Sequence, residues 1–412
     1  MGPVIFRDLH PTIRRLLLIR TLRSVGQGAL VVDFALYLHA LHWSGLFIGL
    51  VLGASGLFGA LLSLLVGPGS DRLGRKPFLL CYEAIVLCSS SVALLSAKPV
   101  LLITAAVLGS FGRGANGAAG PFSPVEQAWM AEEVPRQKRG WVFSLNSALG
   151  FWGMTLGALT ATLPWSARLQ GALAYRPLFA LTGLTAIANL FLIAGAKESY
   201  RGPVKARTRQ SDKIRRIENR ILIKLVSINS IRGLAVGLTG PLIAYWFARR
   251  FGIGPARIAP VMAITFAVTG LASLATGRLS ERIGIVESVI WERSAGLVLL
   301  VLLPLMPTFP LAAAVYMLRS VFIRGSAGAN QALTLGLVRS ERRGLAAGLS
   351  KVSMQLPRSI GPAIAGYLFE SGQFSFPFYV AAALQMIYLV LYRRIFLIHD
   401  PARNPQIGLE KR

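Results

Sequence analysis

Apolar runs of about 20 residues recur along the whole chain, and each is long enough to cross a lipid bilayer as a helix. Of the 412 residues, 54% are hydrophobic and only 15% are charged, whereas a soluble protein carries about a quarter charged residues. The first residues lack the basic, apolar and small-residue layout of a cleaved signal peptide, so we expect the first apolar run to stay as a membrane helix. The sequence therefore predicts an all-α polytopic membrane protein.

The charge of the chain is strongly basic, with 44 Lys and Arg against 17 Asp and Glu and a formal net charge of +27. In a soluble domain this excess would favour nucleic acid. Here the basic residues cluster in short loops, where they set orientation by the positive-inside rule and attract anionic headgroups. We therefore expect a lipid bilayer as partner, no nucleic acid, and both termini in the cytoplasm.

A charged stretch separates the second and third apolar runs and has the order Gly-Pro-Gly-Ser-Asp-Arg-Leu-Gly-Arg-Lys. Its glycines permit a tight turn, so we expect a short hairpin between two membrane helices. The spacing resembles the signature loop of the major facilitator superfamily, which joins the second and third helices on the cytoplasmic side. The matching residues are Gly67, Asp71, Arg72, Gly74, Arg75 and Lys76.

This resemblance implies twelve transmembrane helices in two pseudo-symmetric six-helix bundles, working as a monomer without a cofactor. We expect an N-terminal bundle at 1–196, a basic cytoplasmic linker at 197–219 and a C-terminal bundle at 220–412. The fourth helix is predicted as one long helix over about 99–132. The linker is set apart because its many Lys and Arg residues follow no apolar periodicity.

The two predicted bundles repeat at a shift of about 210 residues. The run from Arg23 to Gly28 matches Arg232 to Gly237, and Arg113 matches Arg324. The second copy of the signature loop comprises Gly277, Glu281, Arg282 and Gly284, and lacks the final basic pair. Such a repeat indicates two similar bundles that rock about a central cavity and expose it alternately to each side.

The clearest acid within an apolar run is Asp33, in the first predicted helix. A buried acid of this kind is able to bind and release a proton, and related proton-driven exporters of the family place an acid there. The alternative is a structural acid that pairs with a nearby arginine. Tyr37 lies one turn further on the same face and is either a cavity-lining hydroxyl or a packing residue.

Other site residues follow from the resemblance. Arg113 opens a run similar to the family's fourth-helix motif, where the arginine is thought to influence proton transfer, although Asn116 stands in place of the usual Gln. The family also pairs an acid near the cytoplasmic end of the fourth helix with the signature-loop arginine. We expect Glu132 or Glu133 to pair with Arg75, with Glu126 as the next candidate.

The symmetric arginines Arg23 and Arg232 support a different function. In the organophosphate branch of the family a similar pair grips phosphate, because the guanidinium fork donates two hydrogen bonds at once. The alternative is that both lie close to the surface and extend to headgroups. Arg23 lies about ten residues into its helix, roughly 15 Å deep at the helical rise, which leaves both interpretations open.

These observations favour a secondary transporter of the bacterial inner membrane that moves a small organic solute with protons, with export preferred. The main alternative is an organic-anion or phosphate-ester transporter, and a third is a membrane receptor of the same fold that binds without transport. An enzyme is not expected, since the chain has four His, two Cys and no phosphate-binding Gly-x4-Gly-Lys-Ser/Thr loop. Cys81 and Cys88 share one apolar helix, so neither a disulfide framework nor a metal site is indicated.

Overall fold

The architecture comes from a computed structural model, which describes residues 9–112, 120–134, 139–162, 171–198, 212–275, 285–325 and 343–396. Within these ranges the chain is built from α-helices joined by short turns. The remaining residues include Arg113 and the predicted second signature loop (Gly277, Glu281, Arg282 and Gly284). Predictions that fall on them lie outside the described part of the chain.

The first half of the chain contains seven helices in its described ranges. They are α1 (Pro11–Ala40), α2 (Gly45–Leu73), α3 (Lys76–Leu95), α4 (Pro99–Leu108), α5 (Ser123–Glu133), α6 (Arg139–Thr160) and α7 (Arg176–Ala194), the last preceded by a 3-10 turn at Gly171–Tyr175. Proline stands in the first turn of α1, α3, α4, α5 and α7, where its missing N–H would have no helical partner in any case.

The second half also contains seven helices in its described ranges. They are α8 (Asp212–Thr239), α9 (Ile243–Phe251), α10 (Pro255–Ala275), α11 (Ile285–Leu302), α12 (Phe309–Gly325), α13 (Arg343–Glu370) and α14 (Phe376–Phe396). Helix α8 begins inside the segment predicted as a linker, of which residues 199–211 are not described.

Eight described segments are long and apolar enough to cross a membrane, which confirms the polytopic prediction. They are Gly45–Gly67, Lys76–Leu95, Trp141–Thr160, Gly171–Ala194, Glu218–Phe251, Pro255–Leu274, Val286–Leu305 and Phe376–Phe396. Helices α1 and α13, with 30 and 28 residues, are also long enough to span but carry several charged residues.

The fourth predicted helix is not continuous. Helix α4 ends at Leu108 and α5 starts at Ser123, with turns at both ends of the undescribed segment between them. Ser110 and Gly120 both have positive φ, at 55° and 90°, and Pro121 follows. The prediction of one helix over 99–132 was wrong at this point because helical periodicity alone did not account for these turn-forming residues.

The structure divides into two compact units. The first contains residues 1–43, 58–204 and 253–270, and the second contains 44–57, 205–252 and 271–412. In the first unit α1 packs along α6 and α7, and α3 packs against α7. In the second unit α8 packs along α13 and α14, and α11 packs between α12 and α14.

Small residues allow the central helices of each unit to approach closely. In the first unit a side chain on Gly157 of α6 would collide with the backbone of Val25 on α1. In the second unit a side chain on Gly237 of α8 would collide with the backbone of Arg358 on α13. Such contacts replace the hydrophobic effect in a membrane, and they hold α1 and α8 in fixed positions against their neighbours.

Candidate functional site

A buried ion cluster joins α1, α3 and α5 in the first unit. Arg23 of α1 donates from Nε to Glu83 Oε1 of α3 at 2.7 Å and from Nη1 to Glu126 Oε2 of α5 at 2.5 Å. All three side chains are at most 2% exposed. The ring of Tyr82 lies 5.3 Å from the Arg23 guanidinium and stacks on Phe122. Two carboxylates therefore already accept hydrogen bonds from Arg23.

Glu83 is a member of this cluster that the sequence analysis missed. It follows the signature loop by seven residues and lies within an apolar helix, as Asp33 does. An ionisable residue in a membrane segment is by default functional or paired, and this signal could have identified it. The sequence could not show that its partner is Arg23, because 60 residues separate them.

Asp33 lies deeper along α1 in a different environment. It is 1% exposed, and neither carboxylate oxygen has a hydrogen-bond partner within the described residues. Among the described residues it forms no ion pair with an arginine. Tyr175 lies close enough to interact with it electrostatically. The rings of Tyr37 and Tyr175 lie 5.6 Å apart beside it, and Arg176 acts electrostatically on Tyr37.

The surroundings of Asp33 are largely aromatic. Phe34, the next residue in α1, meets Phe111 and Phe179 edge to face at centroid distances of 5.6 and 6.4 Å. Tyr37 meets Phe179 at 5.3 Å. An acid among aromatic side chains, with no basic partner in the described part of the chain, is costly to bury and is by default a functional candidate.

The signature stretch is mostly helical. Helix α2 continues to Leu73, so the predicted ten-residue hairpin is reduced to a turn at Gly74 and Arg75. Gly74 has a φ of +89°, a conformation that favours glycine. Gly67 lies within α2, Arg72 in its last turn, and of Asp71 only the backbone is described.

Several ionic contacts hold this turn. Arg75 Nη2 lies 2.5 Å from Glu132 Oε1. The backbone N–H groups of Arg75 and Lys76 donate to the two carboxylate oxygens of Glu198 at 2.6 and 2.9 Å. Lys76 Nζ donates to the carbonyl oxygens of Ala194 and Ala196. The start of α3 is thus joined to the ends of α5 and α7.

Glu132 and Glu133, which the sequence left as alternatives, have different neighbours. Glu132 contacts Arg75, whereas Glu133 Oε2 lies 3.9 Å from His10 Nδ1 at the start of α1. Glu198 is a further acid that sequence reasoning missed. It lies just beyond α7 in the basic segment, and an acid is favoured at the N-terminus of a helix such as α3.

The second unit contains buried arginines in place of a paired cluster. Arg232 of α8 and Arg293 of α11 lie 5.9 and 5.4 Å from the ring centroid of Tyr388 on α14. Arg293 is fully buried, and none of its three guanidinium nitrogens has a hydrogen-bond partner among the described residues. Arg324 lies at the end of α12, where Tyr316 acts on it electrostatically.

The predicted site residues therefore fall into separate groups. Arg23 and Glu126 come together with Glu83, Asp33 and Tyr37 lie near Tyr175, and the signature turn meets Glu132. Arg23 and Arg232 lie in different units. Among the residues that the structure describes, no group of His, Cys, Asp and Glu is arranged to hold a metal ion.

Comparison with known proteins gives the family of this chain. The model of the Major Facilitator Superfamily matches residues 16–229 and 225–412. The chain belongs to this superfamily. The repeat of two matches, one over each half, agrees with the twelve-helix fold of two related bundles.

Individual relatives are more distant. The chain is 29% identical over 252 residues to the multidrug resistance protein MdtG of Salmonella paratyphi C, and 27% identical over 251 residues to MdtG of Escherichia coli. Each match covers 59% of this chain and 57% of the relative, so the chain spans little more than half the length of these proteins.

Solved structures support the same fold. A nucleoside transporter, NupG, superimposes with a TM-score of 0.72 over 93% of this chain and 100% of its own, at 15% identity. A D-xylose-proton symporter gives a TM-score of 0.68 over 92% and 96% of the two chains, also at 15% identity. These similarities concern the fold.

Proposed function

We propose that the protein is a secondary transporter that exports a small organic solute across the bacterial inner membrane in exchange for protons. It would act as a monomer by alternating access, with both termini in the cytoplasm. The observation that carries the proposal is Asp33, a fully buried acid in a membrane helix with no hydrogen-bond partner among the described residues. The similarity to multidrug resistance proteins favours export of an organic compound.

Asp33 would take up the transported proton. Access of water to Asp33 would change as access alternates, so one group could load a proton on one side of the membrane and release it on the other. The neighbouring titratable groups in the described structure are Tyr37 and Tyr175, and Arg176 acts electrostatically on Tyr37. We expect Arg113, on the undescribed segment, to influence this proton transfer.

Arg75 and Glu132 would fasten the cytoplasmic side in one state of the cycle. Their ion pair joins the signature turn to the end of α5, and Glu132 is 46% exposed. A pair so close to solvent is weak enough to open during a transport cycle. Asp71, Arg72 and Lys76 would assist it, and Glu281 and Arg282 would be their counterparts in the second half.

The contacts of Arg23 favour the exporter proposal over an anion-binding pair formed by Arg23 and Arg232. Its guanidinium is already bound by Glu83 and Glu126, so an anionic substrate would have to displace two buried carboxylates. That exchange is costly because each displaced carboxylate would lose its counter-charge inside the protein.

Transport by purified protein in liposomes tests the proposal. A pH gradient should drive accumulation of labelled lipophilic compounds by the wild type, and Asp33→Asn should lose at least nine-tenths of this accumulation. The matched control is Glu287→Gln, the same kind of change in the first turn of α11, which should keep it. Equal accumulation by Asp33→Asn and wild type would overturn the role of Asp33. Binding without any flux would favour a receptor.

A further inference from the structure

The buried arginines of the second unit lack the acids that accompany their counterparts in the first. The internal repeat relates Glu83 to residue 293, a shift of 293 − 83 = 210, and this residue is an arginine. The positions related to Glu126 at shifts of 210 and 211 are Gly336 and Leu337. The second half therefore has an arginine at the position of Glu83 and an apolar segment at the position of Glu126.

The replacement brings two cations together. Arg232 and Arg293 lie close enough to act on each other electrostatically, and both guanidinium groups lie within 6 Å of the centre of the Tyr388 ring. The three nitrogens of Arg293 and Nε of Arg232 have no hydrogen-bond partner among the described residues, and the hydroxyl of Tyr388 lies within hydrogen-bond reach of Arg232. These donors converge from three helices, α8, α11 and α14.

One acid lies nearby but does not neutralise them. Glu292 precedes Arg293 in α11, and consecutive helical residues point about 100° apart. No ion pair joins the two among the described residues, and Glu292 Oε2 also has no hydrogen-bond partner. With Glu292 ionised, two positive charges still face one negative charge.

The excess of positive charge on Arg232 and Arg293 is costly because of where the two side chains lie. Arg293 is the eighth residue of the span Val286–Leu305, roughly 10 Å from its end, and Tyr388 lies within the span Phe376–Phe396. A buried cation inside a membrane protein needs a counter-charge or hydrogen-bond acceptors. The acidic residues between 221 and 396 are Glu281, Glu287, Glu292, Glu341 and Glu370, and of these only Glu292 is adjacent to Arg293 in the sequence.

We propose that Arg232, Arg293 and the hydroxyl of Tyr388 form an anion-binding site for a phosphate or carboxylate group. Each guanidinium fork matches two oxygens of such a group, and the phenol donates a further hydrogen bond. Arg232 is half-buried and Arg293 is fully buried, so the anion meets Arg232 first and Arg293 at full depth. The group is either part of a soluble solute or an anionic lipid headgroup.

This site goes beyond the exporter proposal and does not depend on Asp33. It assigns the anion to two arginines of the second unit, not to the symmetric pair of Arg23 and Arg232. A solute that carries both an apolar body and an acidic group would satisfy this site as well as the exporter proposal.

Thermal unfolding of the full-length protein in neutral detergent tests the site. Inorganic phosphate and benzoate are compared with chloride at equal ionic strength, because bound ligand raises the unfolding temperature. We expect phosphate or benzoate to raise the wild-type unfolding temperature by several degrees and to leave Arg293→Gln unchanged. Equal shifts in both proteins would overturn the proposal.

The internal repeat offers a sharper variant. Arg293→Glu places an acid where the first half has Glu83, so Arg232 gains a counter-charge. We expect this variant to unfold at a higher temperature than the wild type without added anion, and to lose the anion-dependent shift. A purely structural role for Arg293 predicts the opposite, a lower unfolding temperature. If Arg293→Glu does not fold, Arg293→Gln and Arg232→Lys decide the question.

Two controls complete the experiment. Arg319→Gln removes another half-buried arginine of the second unit, on α12, and should keep the anion-dependent shift. Glu292→Gln removes the competing carboxylate and should lower the phosphate concentration needed for half of the shift. Loss of the shift in Arg319→Gln would overturn the assignment to Arg293.

Lipid nanodiscs separate the two sources of the anion. If a headgroup is the ligand, phosphatidylglycerol should stabilise the wild type but not Arg293→Gln, and soluble anions should add nothing to its effect in nanodiscs. If a solute is the ligand, the soluble anions should act and the lipid should not. No difference between wild type and Arg293→Gln with any of these anions would overturn the site.

Discussion

Arg23 and Arg232 occupy equivalent positions in the internal repeat, yet their surroundings carry opposite charge. Arg23 is held by Glu83 and Glu126, and the described cluster has one more acid than base. Arg232 and Arg293 both lie within 6 Å of the centre of the Tyr388 ring, and no carboxylate hydrogen-bonds either of them among the described residues. The helix packing that positions both arginines is similar, with glycine contacts to α6 in one unit and to α13 in the other.

This difference shows which properties a repeat preserves. Close helix contacts depend on small residues and on backbone geometry, and they are repeated. Buried charges depend on single residues, and one change from acid to arginine reverses the electrostatics of a site. We therefore assign a structural role to the arginine of the first half and a binding role to that of the second.

The largest expected effect comes from removal of Arg23. Arg23→Ala leaves two carboxylates buried without a counter-charge, and breaking such a pair costs about 3–5 kcal/mol of the free energy of unfolding. Arg232→Ala removes a cation that faces another cation, so it should cost far less or stabilise the protein. Thermal unfolding of the two variants in detergent measures the difference. Equal losses of stability in the two variants would contradict the view that only Arg23 is held by counter-charges.

A smaller effect is expected when one acid of the Arg23 cluster is neutralised. Glu126→Gln keeps a hydrogen-bond acceptor near Arg23 and leaves Glu83 as counter-charge, so we expect a loss of about 1–3 kcal/mol. Its measurement is the same unfolding experiment, with Glu287→Gln as the matched control. A loss as large as that of Arg23→Ala would show that Glu83 alone cannot hold the arginine.

The smallest effect on stability should come from the signature turn. Arg75→Gln breaks a pair whose acid is 46% exposed, which costs at most about 1 kcal/mol, and less at high salt. Transport should nevertheless fall, because the ion pair proposed to close the cytoplasmic side is lost. The charge-exchanged double variant Arg75→Glu with Glu132→Arg should recover part of the flux of Arg75→Gln. If the flux does not recover, the Arg75–Glu132 ion pair does not close the cytoplasmic side.

Much of the fold could be predicted from the sequence because its signals are local. Apolar runs of membrane length and the motif at Gly67–Lys76 predicted the helices and the family, and both predictions are confirmed. The break between α4 and α5 was not predicted, because helical periodicity alone did not account for turn-forming residues such as Ser110 and Gly120. The functional roles of Asp33, Arg113 and the arginine pair stay predictions.

The candidate site was harder to predict because its contacts join distant parts of the chain. The sequence indicated that Arg23, Asp33 and Glu126 were unusual, but it could not show that Arg23 binds Glu126 while Asp33 has no basic partner among the described residues. Glu83 and Arg293 were overlooked. Both could have been found by asking, for every charged residue in an apolar run, which residue occupies the related position in the other half.

The most direct test of the transport account compares two kinds of flux in the same liposomes. Exchange of labelled for unlabelled substrate needs alternating access but no net proton transfer, whereas accumulation under a pH gradient needs both. We expect Asp33→Asn to keep exchange near the wild-type rate and to lose gradient-driven accumulation. If Asp33→Asn accumulates substrate as the wild type does, Asp33 is not the coupling acid; if it loses exchange as well, Asp33 serves substrate binding or structure and not proton coupling.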